Sequence, residues 1–216
     1  QMARNGDRIV QCRTAQDAEN AHRQGKAAAF LTVEGAELLG CDPERLDGAA
    51  AEGVIAINLT WNHANALSGS SAEEPERGIS PLGRRFVAKM EELHILVDVS
   101  HLSEAGFWDL ADLARRPFIA SHSNAKSVRD HTRNLTDGQI NDQGVIGLNF
   151  YEDFVGGGRD FDALRAHLDR ILGLGGAAHV ALGGDWDGCD TIPALPSIDR
   201  IGDFYDYLLH HGFITI

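Results

Sequence analysis

Six polar side chains in this sequence occupy one kind of position, immediately after an apolar run of strand length. Glu34 follows Ala28 to Val33, and His63 closes Leu59-Thr60-Trp61-Asn62-His63. His101 closes Asp98-Val99-Ser100-His101, and His122 stands in Ser121-His122-Ser123. Tyr151 ends Asn149-Phe150-Tyr151, and Asp185 lies in Gly183-Gly184-Asp185-Trp186-Asp187-Gly188. His101 and His122 lie 21 positions apart, about one strand-loop-helix-loop unit, which predicts neighbouring strand ends. With the carboxylate of Glu34 they make an N,N,O donor set that suits zinc, leaving a position for water. One strand-end histidine alone is ordinarily a hydrogen-bonded loop residue; three candidate ligands at equivalent ends point to a metal. Asp98 reads as a residue that orients a neighbour. Asp185 reads either as a carboxylate that moves a proton or holds a substrate amine, or as a turn residue among glycines, a role Asp187 fits better. Arg133, in the loop beyond His122, has the fork geometry to clamp a carboxylate, although a lone loop arginine is ordinarily solvated.

These positions require elements that end together. Near-continuous apolar runs at Ala28 to Val33, Val54 to Leu59, Ile95 to Val99, Pro117 to Ala120, Val145 to Phe150 and His179 to Leu182 read as parallel strands covered on both faces. Helices begin with Ser80-Pro81 before Leu82 to Leu93, with Ser103 before Glu104 to Ala114, and with Thr136-Asp137 before a turn through Ile140. Phe161 to Leu172 is amphipathic, Gly173 to Gly176 is expected to break it, and Asp199 to His211 gives a last helical pattern. Ser68 to Gly78 reads as a long loop between strand and helix. The alternation predicts an α/β fold, a single domain over residues 1–216. No GxGxxG or Walker-type loop supports a nucleotide-binding sheet. A (β/α)8 barrel, which puts sites at the carboxyl ends of its strands, fits better; six units fall short of the eight it needs in ~250 residues.

Composition narrows the partners. Of 216 residues, 32 are acidic and 19 basic, a formal net charge of −13, which argues against nucleic acid or an anionic membrane surface. No apolar run is long enough to span a membrane. Cys12, Cys41 and Cys189 are too few and scattered for a disulfide framework, which leans toward a reducing, cytoplasmic setting. His22, His94, His167, His179, His210 and His211 read as non-catalytic, and Trp61 and Trp186 as packing beside the site. The opening on Gln1 and the closing run Phe213-Ile214-Thr215-Ile216, with the shortfall of units, give the expectation of a piece of a longer chain.

Val33-Glu34-Gly35, Leu59-Thr60-Trp61-Asn62-His63, Gly78-Ile79-Ser80-Pro81-Leu82-Gly83, Asp98-Val99-Ser100-His101-Leu102-Ser103, Ser121-His122-Ser123, Arg133-Asn134-Leu135-Thr136-Asp137, Asn149-Phe150-Tyr151 and Gly183-Gly184-Asp185-Trp186-Asp187-Gly188 occur in this order. Together they resemble the membrane (renal) dipeptidase family of zinc metallopeptidases, in its bacterial branch. The resemblance implies an amidohydrolase-like (β/α)8 TIM barrel, incomplete here, with a two-zinc site that hydrolyses dipeptides through a metal-bridging water. It implies that Glu34 bridges both ions and that His101 and His122 complete the ligands of one. It further implies that His63 polarises the scissile carbonyl, that Arg133 holds the substrate carboxylate, that Asp185 serves the amine, and that Tyr151 touches substrate. One departure stands out: no His-x-Asp pair, which completes the family's other zinc site, precedes Glu34. The expected partner is a dipeptide, with a homodimer left open, and weak or no hydrolysis is expected of these residues alone. The alternatives are a related metal-dependent amidohydrolase acting on another amide or an ester, and a non-catalytic barrel lacking one metal site.

Overall fold

The computed structural model describes residues 4–142 and 144–213, so Gln1 and the closing Ile214-Thr215-Ile216 lie outside the described residues. The chain divides into two compact units, Gln1–Pro117 and Phe118–Ile216. In the first, β1 (Ile9–Cys12), β2 (Ala27–Val33), β3 (Val54–Asn58) and β4 (Leu96–Asp98) pair in chain order, every pair parallel. They alternate with α1 (Ala15–Arg23), α2 (Leu46–Glu52) and α3 (Pro81–Glu92), and α4 (Glu104–Leu113) follows β4. The second unit repeats the scheme with β5 (Ile119–Ala120), β6 (Val145–Leu148) and β7 (Val180–Leu182), again parallel and in order. Its helices are α5 (Asp137–Asp142), α6 (Glu152–Val155), α7 (Phe161–Gly175) and α8 (Ile201–His210). Among the described residues no helix is long and apolar enough to cross a membrane.

Local chemistry explains the element starts. The α3 N-cap Ser80 accepts from the Gly83 N–H at 3.0 Å, while its hydroxyl donates to the Ala66 carbonyl at 2.7 Å. One side chain thus caps the helix, worth about 1 kcal/mol, and ties it to the long loop after β3. Phe86, Val87 and Met90, on one face of α3, are buried. Ser103 caps α4 in the same way, accepting from Gly106 N–H at 2.9 Å and donating to the Arg77 carbonyl at 2.7 Å. The loop expected at Ser68 to Gly78 is present but far from loose: Ser68, Ser70 and Ser71 are buried.

Two elements were not foreseen and two expectations need correction. The strand β1 and helix α1 precede the first strand recognised in the sequence. α1 has a full start at Thr14, whose hydroxyl accepts from Asp17 N–H at 3.1 Å while Asp17 Oδ2 accepts from Thr14 N–H at 2.9 Å. β2 is not covered on both faces: Phe30 is 41% and Leu31 37% exposed. The physical reason is the polar helix α1 beside it, which buries only Ala21. Finally, α7 runs through Gly173 to Gly175. A mid-helix glycine costs only about 1 kcal/mol, and the buried face of Leu164, His167, Leu168 and Ile171 outweighs it. The helix stops at Gly176, where φ reaches +79°.

The pairing of every strand from β2 onward, β3 excepted, ends within three residues of a candidate site side chain. Glu34 follows β2 directly, His101 follows β4, His122 follows β5, Tyr151 follows β6 and Asp185 follows β7. At the end of β5 the Ser121 carbonyl lies against the α-carbons of Gly147 and Gly183, where any Cβ would overlap it. Glycine at both positions lets the His122 strand end pack closely against β6 and the end of β7.

Candidate functional site

In the first unit, His101 is held in a backbone conformation that side chains rarely adopt, with φ +80°. Three contacts fix its turn. Its carbonyl accepts from the Ser71 N–H at 2.8 Å and from the Thr60 hydroxyl at 3.3 Å, and the buried Asp98 carboxylate accepts from Ser100 N–H at 3.0 Å. Strain of this kind costs about 1–3 kcal/mol and persists where the surroundings over-determine it. The turn buries the His101 ring, with Nε2 2.9 Å from Glu34 Oε1 and Nδ1 3.1 Å from Asn62 Oδ1. Both ring nitrogens therefore face oxygen acceptors. A neutral imidazole carries one proton, so the arrangement calls for a second positive partner on the ring, either another proton or a metal ion. A nitrogen and a carboxylate oxygen converging in this way are the donor types zinc takes. His63 stands apart from this pair, 80% exposed at its side chain, with Nδ1 3.4 Å from Glu73 Oε2.

The second unit presents His122 and Arg133 on a loop built from asparagines. His122 is buried, and its Nδ1 lies 2.7 Å from Ser121 Oγ. Past the end of β5, Asn124 imitates a strand: its Oδ1 accepts from Asn149 N–H and its Nδ2 donates to the Asn149 carbonyl, both at 3.0 Å. Asn149 Oδ1 in turn accepts from Tyr151 N–H at 2.6 Å, turning the chain into α6. The Arg133 guanidinium lies over the Phe154 ring, 5.3 Å from its centre. The same ring meets Tyr151 edge-on at 4.6 Å and His131 at 4.6 Å, and the Phe154 carbonyl accepts from Asn134 Nδ2 at 2.9 Å. Phe154 is thus the shared platform of Arg133 and Tyr151. Burial holds the His131 pKa below its usual value, aided by the charges of Arg133 and Arg129. The Tyr151 hydroxyl donates to Asp153 Oδ2 at 3.0 Å, which raises its pKa and keeps it protonated.

Asp185 is the second candidate with a left-handed backbone, φ +55°, and Asp187 has the same feature at +69°. The Gly188 N–H donates to the Asp185 carbonyl at 3.1 Å, and the Asp185 carboxylate lies against the Gly188 α-carbon, which leaves no room there for a side chain. The turn geometry and the candidate acid therefore coincide in one residue. Cys189, next along, has its pKa pushed up to about 12 by burial and the Asp185 charge, so it is no nucleophile. Sequence reasoning passed over Asn62, Asn124, His131 and Phe154. Asn62 stood inside a motif already singled out; Phe154 had no signal beyond being an aromatic residue after Tyr151.

The model of the membrane dipeptidase family, peptidase family M19, matches residues 1–214. The chain belongs to that family. A protein encoded in the pqqA 5′ region of Klebsiella pneumoniae is 34% identical over 218 residues, covering 94% of this chain and 78% of that protein. A metallopeptidase from Rhodobacter sphaeroides, solved with a phosphinate mimic of the dipeptide L-Ala-D-Ala, is 30% identical with a TM-score of 0.92, covering 99% of this chain and 66% of its own. An amidohydrolase from Pseudomonas aeruginosa, 18% identical with a TM-score of 0.88, covers 98% of this chain and 74% of its own and shares the fold. The fold class is therefore the amidohydrolase-like α/β barrel, present here in part. The chain spans 50% to 78% of the length of curated relatives it matches.

Proposed function

We propose that this chain forms the metal-binding and substrate-binding part of a zinc-dependent dipeptidase, residues 1–216 belonging to one barrel domain. Its family membership supports the reaction class, and the Rhodobacter relative's dipeptide mimic supports the substrate. The observation that carries the reading is His101, strained and buried, with both ring nitrogens against oxygen acceptors. Glu34, His101 and His122 offer one donor atom each, and we assign them as the ligands of one zinc ion. When bound, zinc supplies Lewis acidity at the scissile carbonyl and an acidified water.

The remaining roles fall to this chain's own side chains. His63, exposed and able to turn toward substrate, steadies the developing oxyanion. Arg133, backed by the Phe154 ring, takes the C-terminal carboxylate of the dipeptide, with Tyr151 beside it on the same ring. Asp185 holds the substrate amine and manages the proton delivered to the leaving nitrogen. Solution in the cytoplasm fits the three free cysteines.

The test is hydrolysis by the full-length protein of a dipeptide with a free C-terminus and of the same dipeptide as its amide. The account expects strong preference for the free acid; equal rates on both remove the Arg133 role. A barrel that binds dipeptides without cleaving them would hold the phosphinate mimic yet release no amino acid.

A further inference from the structure

We propose that Asn62 is a positioning residue for the metal centre: its side-chain oxygen accepts the Nδ1 proton of His101 and so commits Nε2 of that ring to the cation beside Glu34. The inference rests on the reading of His101 as a ligand. Its geometric basis is the 3.1 Å contact between Asn62 Oδ1 and His101 Nδ1, on the ring edge opposite the 2.9 Å approach of Glu34 to Nε2.

The amide is a two-way device. With its oxygen toward Nδ1, the imidazole proton sits on Nδ1, and Nε2 presents an electron pair. With its nitrogen toward Nδ1, the amide would donate, the imidazole proton would move to Nε2, and the ring would form an ordinary hydrogen bond to the Glu34 carboxylate with its ligand atom capped. The structure has the oxygen toward the ring. Metal-ligating histidines typically give their other N–H to an oxygen acceptor, which fixes both tautomer and ring orientation.

The backbone around Asn62 is itself tied down. The Asn62 carbonyl accepts from the Ser70 hydroxyl at 2.8 Å, and the Ser70 oxygen accepts from Glu73 N–H at 2.9 Å. The next residue along this segment, Ser71, donates its N–H to the His101 carbonyl at 2.8 Å. The long loop after β3 therefore grips His101 twice, at its carbonyl through Ser71 and at its ring through Asn62. An amide suits this place better than a carboxylate would on charge grounds: it fixes the proton without adding a second negative charge beside Glu34.

The test measures zinc affinity of the full-length, metal-stripped protein by competition with a chelator, using zinc alone as probe, in the wild type and in the Asn62→Leu, Asn62→Asp and His101→Ala variants. Nitrogen-15 NMR of the imidazoles reports the His101 tautomer, and thermal melting checks folding. Asn62→Leu should weaken zinc binding about ten- to a hundredfold and shift metal-free His101 toward the Nε2–H tautomer, whereas Asn62→Asp, which keeps the acceptor, should restore both. Unchanged affinity and tautomer in a folded Asn62→Leu protein overturn the proposal while leaving the ligand reading intact. If His101→Ala leaves zinc affinity unchanged, the ligand reading itself fails. If Asn62→Leu does not fold, the tautomer of the wild type decides alone: Nδ1–H supports the assignment and Nε2–H overturns it.

Discussion

Glu34 Oε1 and His101 Nε2 approach to 2.9 Å although they stand 67 positions apart, one at the end of β2 and the other on a strained turn after β4. In the proposed site this carboxylate and imidazole, brought together from two strand ends, are ligands of one zinc ion. Changing His101 to Ala should therefore remove most bound zinc, and changing His122 to Ala should do the same. Metal content of the purified variants, measured by elemental analysis alongside the wild type, checks this. Wild-type zinc content in either variant removes that residue from the ligand set.

Phe154 supports the Arg133 guanidinium from below. A cation over an aromatic face is worth about 0.5–2 kcal/mol, so replacing Phe154 by Leu should raise KM for a free-acid dipeptide by several-fold up to about tenfold, with a smaller change in kcat. The dipeptide amide, which gives Arg133 nothing to clamp, should show little change. Steady-state kinetics on both substrates decide the matter, and an equal loss on each would show that Phe154 acts on folding alone.

The Ser121 carbonyl lies against Gly147 and Gly183. Because the obstructing atom is backbone, Gly147→Ala must move the β5 end that carries His122. The expected cost is about 1–3 kcal/mol of stability together with weakened zinc binding. Chemical denaturation and a zinc titration on the same preparation test both parts, and full stability with full zinc affinity would contradict them.

His167, fully buried on α7, accepts from the Ala125 N–H at 3.2 Å through Nδ1 and donates to the Val155 carbonyl at 3.0 Å through Nε2. Burial pushes its pKa down, as it does for His131. The neutral ring is favoured in the folded state, so this stabilisation is complete above the unfolded histidine pKa of ~6.5 and is lost as pH falls below it. The melting temperature should accordingly fall between pH 7.5 and 5.5, and less steeply in a His167→Gln protein. A melting curve independent of pH across that window would contradict the assignment.

How legible the site was in sequence depended on how it was encoded. Glu34, His101, His122, Tyr151 and Asp185 could be found because each follows an apolar run, and the structure places each at a strand end. The strand β1 was missed because its apolar residues Ile9, Val10 and Cys12 make a run of only four positions broken by Gln11, although the Thr14 to Asp17 capping box behind it was readable. The exposure of β2 was illegible for another reason: an apolar run reports the preference of its own residues and says nothing of whether the neighbouring helix is too polar to cover them. Asn62 and Phe154 act through ring and amide contacts formed only when distant segments meet, so no spacing rule could have given them roles.

The central claim is metal-dependent dipeptide hydrolysis built on Glu34, His101 and His122. Its most direct measurement is amino acid release from a free-acid dipeptide by the full-length protein, assayed as purified, after complete metal removal, and after zinc is restored. The account predicts activity that disappears with the metal and returns with zinc, and that does not return in the His122→Ala variant. Undiminished hydrolysis by the metal-free protein, or full recovery by zinc in that variant, would contradict it.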